Sequence, residues 1–246
     1  MVINVESLGR RFGDVWALKE INFQVQAGEF IGILGRNGAG KTTLVRLLTG
    51  QLSPSEGSMD ICKHRVESRP TALRRIMGVM PDTTALFDGL TGEQYLHFVG
   101  RIHGLQEEVL QNRIRELGEL LEIDFLQPLP IVDFSFGMKK KTALSAALLH
   151  APSLLFLDEP FEGLDPVSSD TLRSLLESLR DHGTTILMTS HLLGLAERLC
   201  SRFIIINQGR IEADGSAESL LRGNETLESL FLRTVGKAKA GALTWM

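Results

Sequence analysis

The chain has only two cysteines, Cys62 and Cys200, far apart and in no CxxC pair. No disulfide framework follows from them, and the expectation is two reduced thiols in a cytosolic protein. The six histidines are scattered without metal-site spacing. No apolar stretch reaches the roughly 18 residues of a membrane span. The opening MVINVESLGRRF lacks signal-peptide character, so any membrane role is expected to come through a partner. A formal charge of −4 gives no overall basic footprint, which argues against nucleic acid as the main partner. There is no internal repeat, and the mixed composition is that of a globular protein.

What the chain does have is organised around residues 35–43, GRNGAGKTT. Gly35, Gly40, Lys41 and Thr42 fit the phosphate-loop pattern GxxxxGK[ST]. A backbone can surround several charged phosphate oxygens only where side-chain bulk is small, and Gly35, Gly38, Ala39 and Gly40 meet that need. Glycine also tolerates positive φ, so successive amides can turn inward as an anion-binding nest. Lys41 then places a point charge on the β- and γ-phosphates, and the Thr42 hydroxyl suits Mg²⁺. The apolar run 30–34 before the loop reads as a buried parallel strand. Leu44, Leu47 and Leu48 after it recur at helical spacing, which delivers the phosphate to a helix N-terminus.

Residues 2–5 and 21–25 alternate as half-buried antiparallel strands do. Between them Arg10-Arg11-Phe12-Gly13 reads as a polar turn, with Phe12 either a platform for a nucleobase or a core residue. SPSEG at 53–57 reads as a turn, and 73–80 leads into a short apolar segment ending at Pro81. Thr91 with Gln94 fits a capping box for a helix to about His103. Residues 105–123 continue with helical periodicity, and two prolines within 127–130 break it. Residues 82–150 are therefore expected as a mainly helical insertion between two α/β halves.

Inside that insertion Ser135 can cap a helix running to about 149. Lys139, Lys140 and Lys141 oppose its dipole, each at about 0.3 to 1 kcal/mol. A visiting anion would offset that cost; the alternative is a solvated basic patch. The strand 154–157 ends in Asp158 and Glu159, where open α/β sheets bind ligands. Asp158 is then placed to hold Mg²⁺, usually through water, and Glu159 to position or deprotonate an attacking water; otherwise the strand simply ends in exposed acids. GLDP at 163–166 starts a helix over 167–179. The strand 185–188 follows, with His191 beyond its end as a structural residue or a donor to a γ-phosphate. Strands at 203–206 and 210–212, a short helix at 216–222 and a mobile tail from 236 complete the reading.

In this order the motifs resemble the ATP-binding subunits of ABC transporters over residues 2–235. GRNGAGKT is similar to the family's Walker A and LLFLDEP to its Walker B. FSFGM stands at the signature, GLD at the D-loop, His191 at the switch histidine and Phe12 at the adenine-stacking aromatic. The resemblance implies an α/β fold: a P-loop NTPase (RecA-like) core with an N-terminal antiparallel β subdomain and a helical subdomain at about 82–150, in one domain over 1–235. It implies ATP and Mg²⁺ as cofactors. ATP would be bound by Phe12, Gly35, Asn37, Gly38, Ala39, Gly40, Lys41, Thr42 and Thr43, with Ser135, Gly137 and Asp165 completing the site. Lys41, Glu159 and His191 would be catalytic, and Thr42, Asp158 and Asp82 would serve the metal.

The same resemblance implies a second nucleotide-binding subunit, identical or not, packed head to tail so that each ATP lies between one phosphate loop and the other signature helix. That identifies the anion at Ser135 as a γ-phosphate. It also implies a transmembrane permease, which holds the protein at the cytoplasmic face of the membrane. The run MKKK after the signature looks most like subunits that pair with separately encoded export permeases. Two positions depart from the family. Asp82 stands where glutamine is usual in the Q-loop, adding repulsion beside the γ-phosphate, and Phe136 and Met138 replace Gly and Gln of LSGGQ. Two other readings differ in class: a soluble ABC-type ATPase acting on ribosomes or DNA, and a nucleotide sensor without turnover. The first expects tandem nucleotide domains or coiled-coil inserts that this chain lacks; Glu159 and His191 oppose the second.

Overall fold

The computed structural model describes residues 1–66, 70–82, 86–223 and 225–236. β1 (Ile3–Phe12) and β2 (Val15–Val25) form a hairpin turning at Gly13 and Asp14. Both strands run further than alternation predicts, and Arg10 to Phe12 is strand rather than turn. Register shifts between Val5 and Leu8, Leu8 and Arg10, and Arg10 and Arg11 absorb the broken pattern as bulges do.

β3 (Phe30–Leu34) leads into α1 (Lys41–Leu48). β4 (Glu56–Ile61) then pairs antiparallel with β1 through Ile3 with Ile61 and Val5 with Met59, so the expected turn at 53–57 is already strand by Glu56. β5 (His64–Arg65), α2 (Pro70–Arg74) and β6 (Met77–Met80) follow. Between β6 and the next strand lie α3 (Gly92–Ile102), α4 (Glu107–Leu121), a 3₁₀ turn (Ile131–Asp133) and α5 (Phe136–Leu148). The rest is β7 (Leu154–Asp158), α6 (Pro166–Asp181), β8 (Thr185–Ser190), α7 (Leu193–Leu199), β9 (Arg202–Asn207), β10 (Arg210–Ser216), α8 (Ala217–Leu220) and α9 (Leu227–Val235). The capping box at α3 forms as expected, with Gln94 N–H donating to Thr91 Oγ1 at 3.2 Å and Thr91 N–H to Gln94 Oε1 at 3.1 Å. The strong apolar pattern at 227–235 belongs to α9, which sequence reading did not anticipate. Residues 237–246 of the tail lie outside the described residues.

A four-stranded sheet has the order β2-β1-β4-β5 and a six-stranded sheet the order β10-β9-β3-β8-β7-β6. In the larger sheet all pairings are parallel except β9 with β10. Its five parallel strands are buried on both faces, as a sheet covered on both sides requires, while the antiparallel edge strand β10 alternates between exposed and half-buried residues. Ile31, Ile33, Leu154, Phe156, Leu187, Ile204 and Ile206 pack with α1 and the smaller sheet. The alternate residues Phe30, Leu34, Leu155, Leu157, Ile186, Met188, Phe203 and Ile205 pack with α3 to α9. Among the described residues no helix is long and apolar enough to cross a membrane.

His150, just beyond α5, stacks on His103 with ring centroids 3.7 Å apart, and its Nε2 lies 2.9 Å from the Met77 carbonyl. Burial, then His103 and Arg113, push its pKa down to about 4 against the opposing pull of that carbonyl. The unfolded chain, with a histidine near 6.5, therefore binds the proton more readily. Stability from this site is present above that value and is lost as pH falls towards 4. His150→Gln is expected to remove a few degrees of the melting-temperature drop between about pH 7 and about pH 4.5, followed by circular dichroism. An equal drop in both proteins would locate the acid sensitivity elsewhere.

Candidate functional site

Residues 35–43 leave the carboxyl end of β3 and open α1. Gly40, the N-cap of α1, has φ +111°, and a Cβ there would lie 2.7 Å from the Ala17 carbonyl oxygen. A Cβ at Gly35 would come within 2.5 Å of the Ile206 carbonyl oxygen. Glycine is thus fixed at both ends of the loop by space and conformation. No side chain caps α1, which leaves its first-turn amides for a ligand. Lys41 is 7% exposed; its Nζ donates to the Gly35 carbonyl at 2.8 Å and lies 3.6 Å from Glu159 Oε1.

The acids arrive from neighbouring strands, because β8 lies between β3 and β7 in the sheet. Asp158 is 2% exposed and accepts a hydrogen bond of 2.5 Å from Thr189 Oγ1. The same hydroxyl oxygen accepts the Glu159 N–H at 2.9 Å. Glu159 adopts φ +49°, a left-handed conformation that is strained for a residue with a Cβ. Its Oε2 accepts the His191 N–H at 3.2 Å and lies 2.8 Å from His191 Nδ1. The carboxylate is therefore held between Lys41 and His191.

Thr189 was not singled out from the sequence. Its signal is a polar residue at the end of an apolar strand, and the register that sets it opposite Asp158 appears only in the sheet. Thr189→Val removes a donor from one acid and an acceptor from the next residue's amide, a buried loss of about 1–3 kcal/mol. Denaturant melts should register it as a lower midpoint. An unchanged melt would deny Thr189 this part.

Loop residues 36–43, Asp82, Asp158, Glu159 and His191 line one cleft of about 540 Å³, joined by Ala17 and Glu162, which sequence reading missed. Gly35, Phe12, Ser135, Gly137 and Asp165 do not line it. Phe12 is 47% exposed beneath the Arg10 guanidinium, whose Cζ is 4.7 Å from the ring centroid, so it is no core residue. Ser135 caps α5 by accepting the Met138 N–H at 3.2 Å. A Cβ at Gly137 would meet no atom within 4 Å, and neighbouring Phe136 is exposed. The Asp165 carboxylate accepts from Ser168 Oγ at 2.6 Å and from the Val167 and Ser168 amides, which hold its pKa below the usual carboxylate range.

The lysine run divides. Lys139 Nζ donates to the Val132 carbonyl at 3.2 Å. Lys140 is 1% exposed and donates to the Glu159 carbonyl, which corrects the solvated-patch alternative at that position. Among the described residues no cluster of three or more His, Cys, Asp or Glu forms a metal cage. The cleft instead offers the oxygens of Thr42, Asp158 and Asp82. That donor set fits a small hard cation that brings water and phosphate oxygens with it.

A family model described as ABC transporter matches residues 18–162. The Nod factor export ATP-binding protein I of Burkholderia lata is 36% identical over 219 residues, spanning 89% of this chain and 72% of that protein. The ABC transporter ATP-binding protein NatA of Bacillus subtilis is 32% identical over 238 residues, spanning 94% and 97%. A solved ATP-binding subunit of an ABC transporter superposes with a TM-score of 0.89 at 30% identity, covering 95% of this chain and 99% of that one.

Proposed function

This chain belongs to the ABC transporter family as an ATP-binding subunit, and from that premise we propose that it hydrolyses ATP to ADP and phosphate to power a membrane exporter. The observation that carries the chemistry is the Glu159 carboxylate held between Lys41 and His191 in the cleft built by residues 36–43. The loop amides wrap the phosphates, Lys41 binds the β- and γ-phosphates, and Phe12 stacks the adenine. Glu159 takes the proton of the attacking water while His191 steadies the carboxylate and reaches the γ-phosphate. Thr42 and Asp158, with Asp82 through water, would hold Mg²⁺, which supplies charge neutralisation on the phosphates when bound.

Ser135, Gly137 and Asp165 stand apart from this cleft, with open space at Gly137. That supports their acting on the nucleotide of a second subunit packed head to tail. Residues 1–235 then form one ATP-binding domain with a helical subdomain at about 82–150. The exposed aromatics Phe87 and Phe98, whose ring centroids are 5.4 Å apart, sit on that helical segment beside a groove of about 350 Å³ lined by Val79, Tyr95 and Val99. We assign the permease contact to this face, and with it a position on the cytoplasmic side of the membrane. The name of the Burkholderia relative supports export.

The test is to purify the tagged chain from detergent-solubilised membranes and assay phosphate release. Recovery of a multi-spanning membrane protein together with Mg-ATP-dependent turnover is expected. Co-sedimentation with ribosomes and no membrane partner would overturn the transport reading.

A further inference from the structure

Phe12 ends β1 at the tip of the hairpin, beside Gly13 with φ +57°, and its ring is half-exposed. A ring at such a tip can rotate, and a base that stacks on it must first fix it. Arg10 removes that freedom. Its guanidinium lies over the ring, with Cζ 4.7 Å from the centroid, within cation–π range. Arg10 Nη1 donates to the Ser53 carbonyl at 2.8 Å, while its Nε is buried without a hydrogen-bond partner among the described residues. The group thus gives its face to the ring at the cost of leaving one N–H unpaired.

The anchor is itself fixed. Ser55 N–H donates to the Gly9 carbonyl at 2.8 Å and Ser55 Oγ accepts the Arg11 N–H at 3.1 Å, so the segment is tied to β1 on either side of Arg10. Before it, the Gln51 and Leu52 amides donate to the Arg46 carbonyl of α1 at 2.8 and 3.0 Å. The helix opened by the phosphate loop therefore leads directly into the residues that hold Arg10. On the other strand Val15 pairs with Phe12, and Ala17, about 7 Å further along, lines the cleft assigned to the phosphates. That interval leaves room for a sugar between the phosphates and the ring.

We propose that Arg10 is a positioning residue for the nucleobase: it covers one face of Phe12, holds the ring still and leaves the other face as a preformed stacking platform. The proposal rests on the reading of Phe12 as the adenine platform given above. A ring already held in place spares the base the cost of ordering it on binding. Arg11 makes the same kind of contact with a different ring, its Cζ 5.8 Å from the Trp16 centroid, and so serves as a matched control for charge.

The experiment titrates the full chain, R10Q, R10K, R11Q and F12A with ATP and with inorganic tripolyphosphate, in EDTA and about 0.15 M salt. Tripolyphosphate carries the phosphate chain without the base. R10Q is expected to weaken ATP binding about fivefold and tripolyphosphate binding less than about twofold, while R11Q leaves both within about twofold. F12A should weaken ATP binding at least about tenfold and spare tripolyphosphate. Equal losses of the two ligands in R10Q, an ATP affinity within about twofold of wild type, or tighter ATP binding once the ring is uncovered overturns the proposal. If R10Q does not fold, R10K decides, because it keeps the charge without the plane: ATP binding should weaken about threefold, and an affinity within about 1.5-fold of wild type overturns the proposal. An F12A protein that binds ATP as wild type does overturns the platform reading itself, whereas a loss in F12A without one in R10Q overturns only the part given to Arg10.

Discussion

Glu159→Gln is expected to lower steady-state phosphate release by roughly 10² to 10⁴ while leaving ATP affinity within a few-fold of wild type. The amide has nearly the shape of the carboxylate and keeps an oxygen to accept the His191 N–H, so the cleft retains its form. What disappears is the capacity to take a proton from water. The neighbouring Lys41 also loses its anionic partner at 3.6 Å, which makes it more available to phosphates. With hydrolysis blocked and binding intact, ATP-bound pairs should accumulate. Size-exclusion chromatography with light scattering should find about twice the monomer mass when ATP is present, with ATP rather than ADP recovered from the peak. An unchanged rate would remove Glu159 from the proton-transfer role. A stalled enzyme that stays monomeric would count against the head-to-tail arrangement.

Lys41→Ala should weaken ATP binding at least about 100-fold, because charge-assisted bonds to phosphate are worth roughly 1.5–3 kcal/mol each and tenfold in affinity is about 1.4 kcal/mol. The lysine opens α1, whose amides point along the same direction as its charge, so its loss leaves the loop with dipoles alone. A second effect comes from Glu159, whose side chain is only 12% exposed and would keep His191 as its remaining side-chain partner among the contacts described above. Calorimetric titration of the folded variant reads the affinity. A dissociation constant within about threefold of wild type would mean that the phosphates lie elsewhere.

Residues whose chemistry follows from local spacing were readable without coordinates. The loop at 35–43, the acids after the strand at 154–157 and His191 after β8 each sit at the carboxyl end of a parallel strand. Adjacency of β3, β8 and β7 then brings them together. The capping box at Thr91 was legible for the same reason, since both of its bonds span three residues. Features that depend on distant packing were not. β4 carries two inward apolar residues, Met59 and Ile61, and becomes a strand because β1 supplies its partner. α9 is short, and its burial of Leu227 and Leu230 depends on the cluster that already includes Ala196 and Leu199 of α7. A run of three lysines reads as solvated, yet about 100° of rotation per helical residue turns one of them inward. That one is Lys140. Thr189 is invisible for a similar reason, because its value lies in the register with Asp158.

The place of β3 in its sheet has a consequence for how the protein is made. Both of its neighbours come late: Phe30 pairs with Ile186, and Ile31 with Arg202. During synthesis the strand bearing the phosphate loop emerges early, then waits for more than half of the chain before either edge is covered. Pairings of such long sequence separation are slow to form and leave apolar edges open to wrong partners. A ribosome-bound fragment ending before β8 should thus be a poor ATP binder and a good client for chaperones. Competence would arrive abruptly, once the last third of the polypeptide has cleared the exit tunnel.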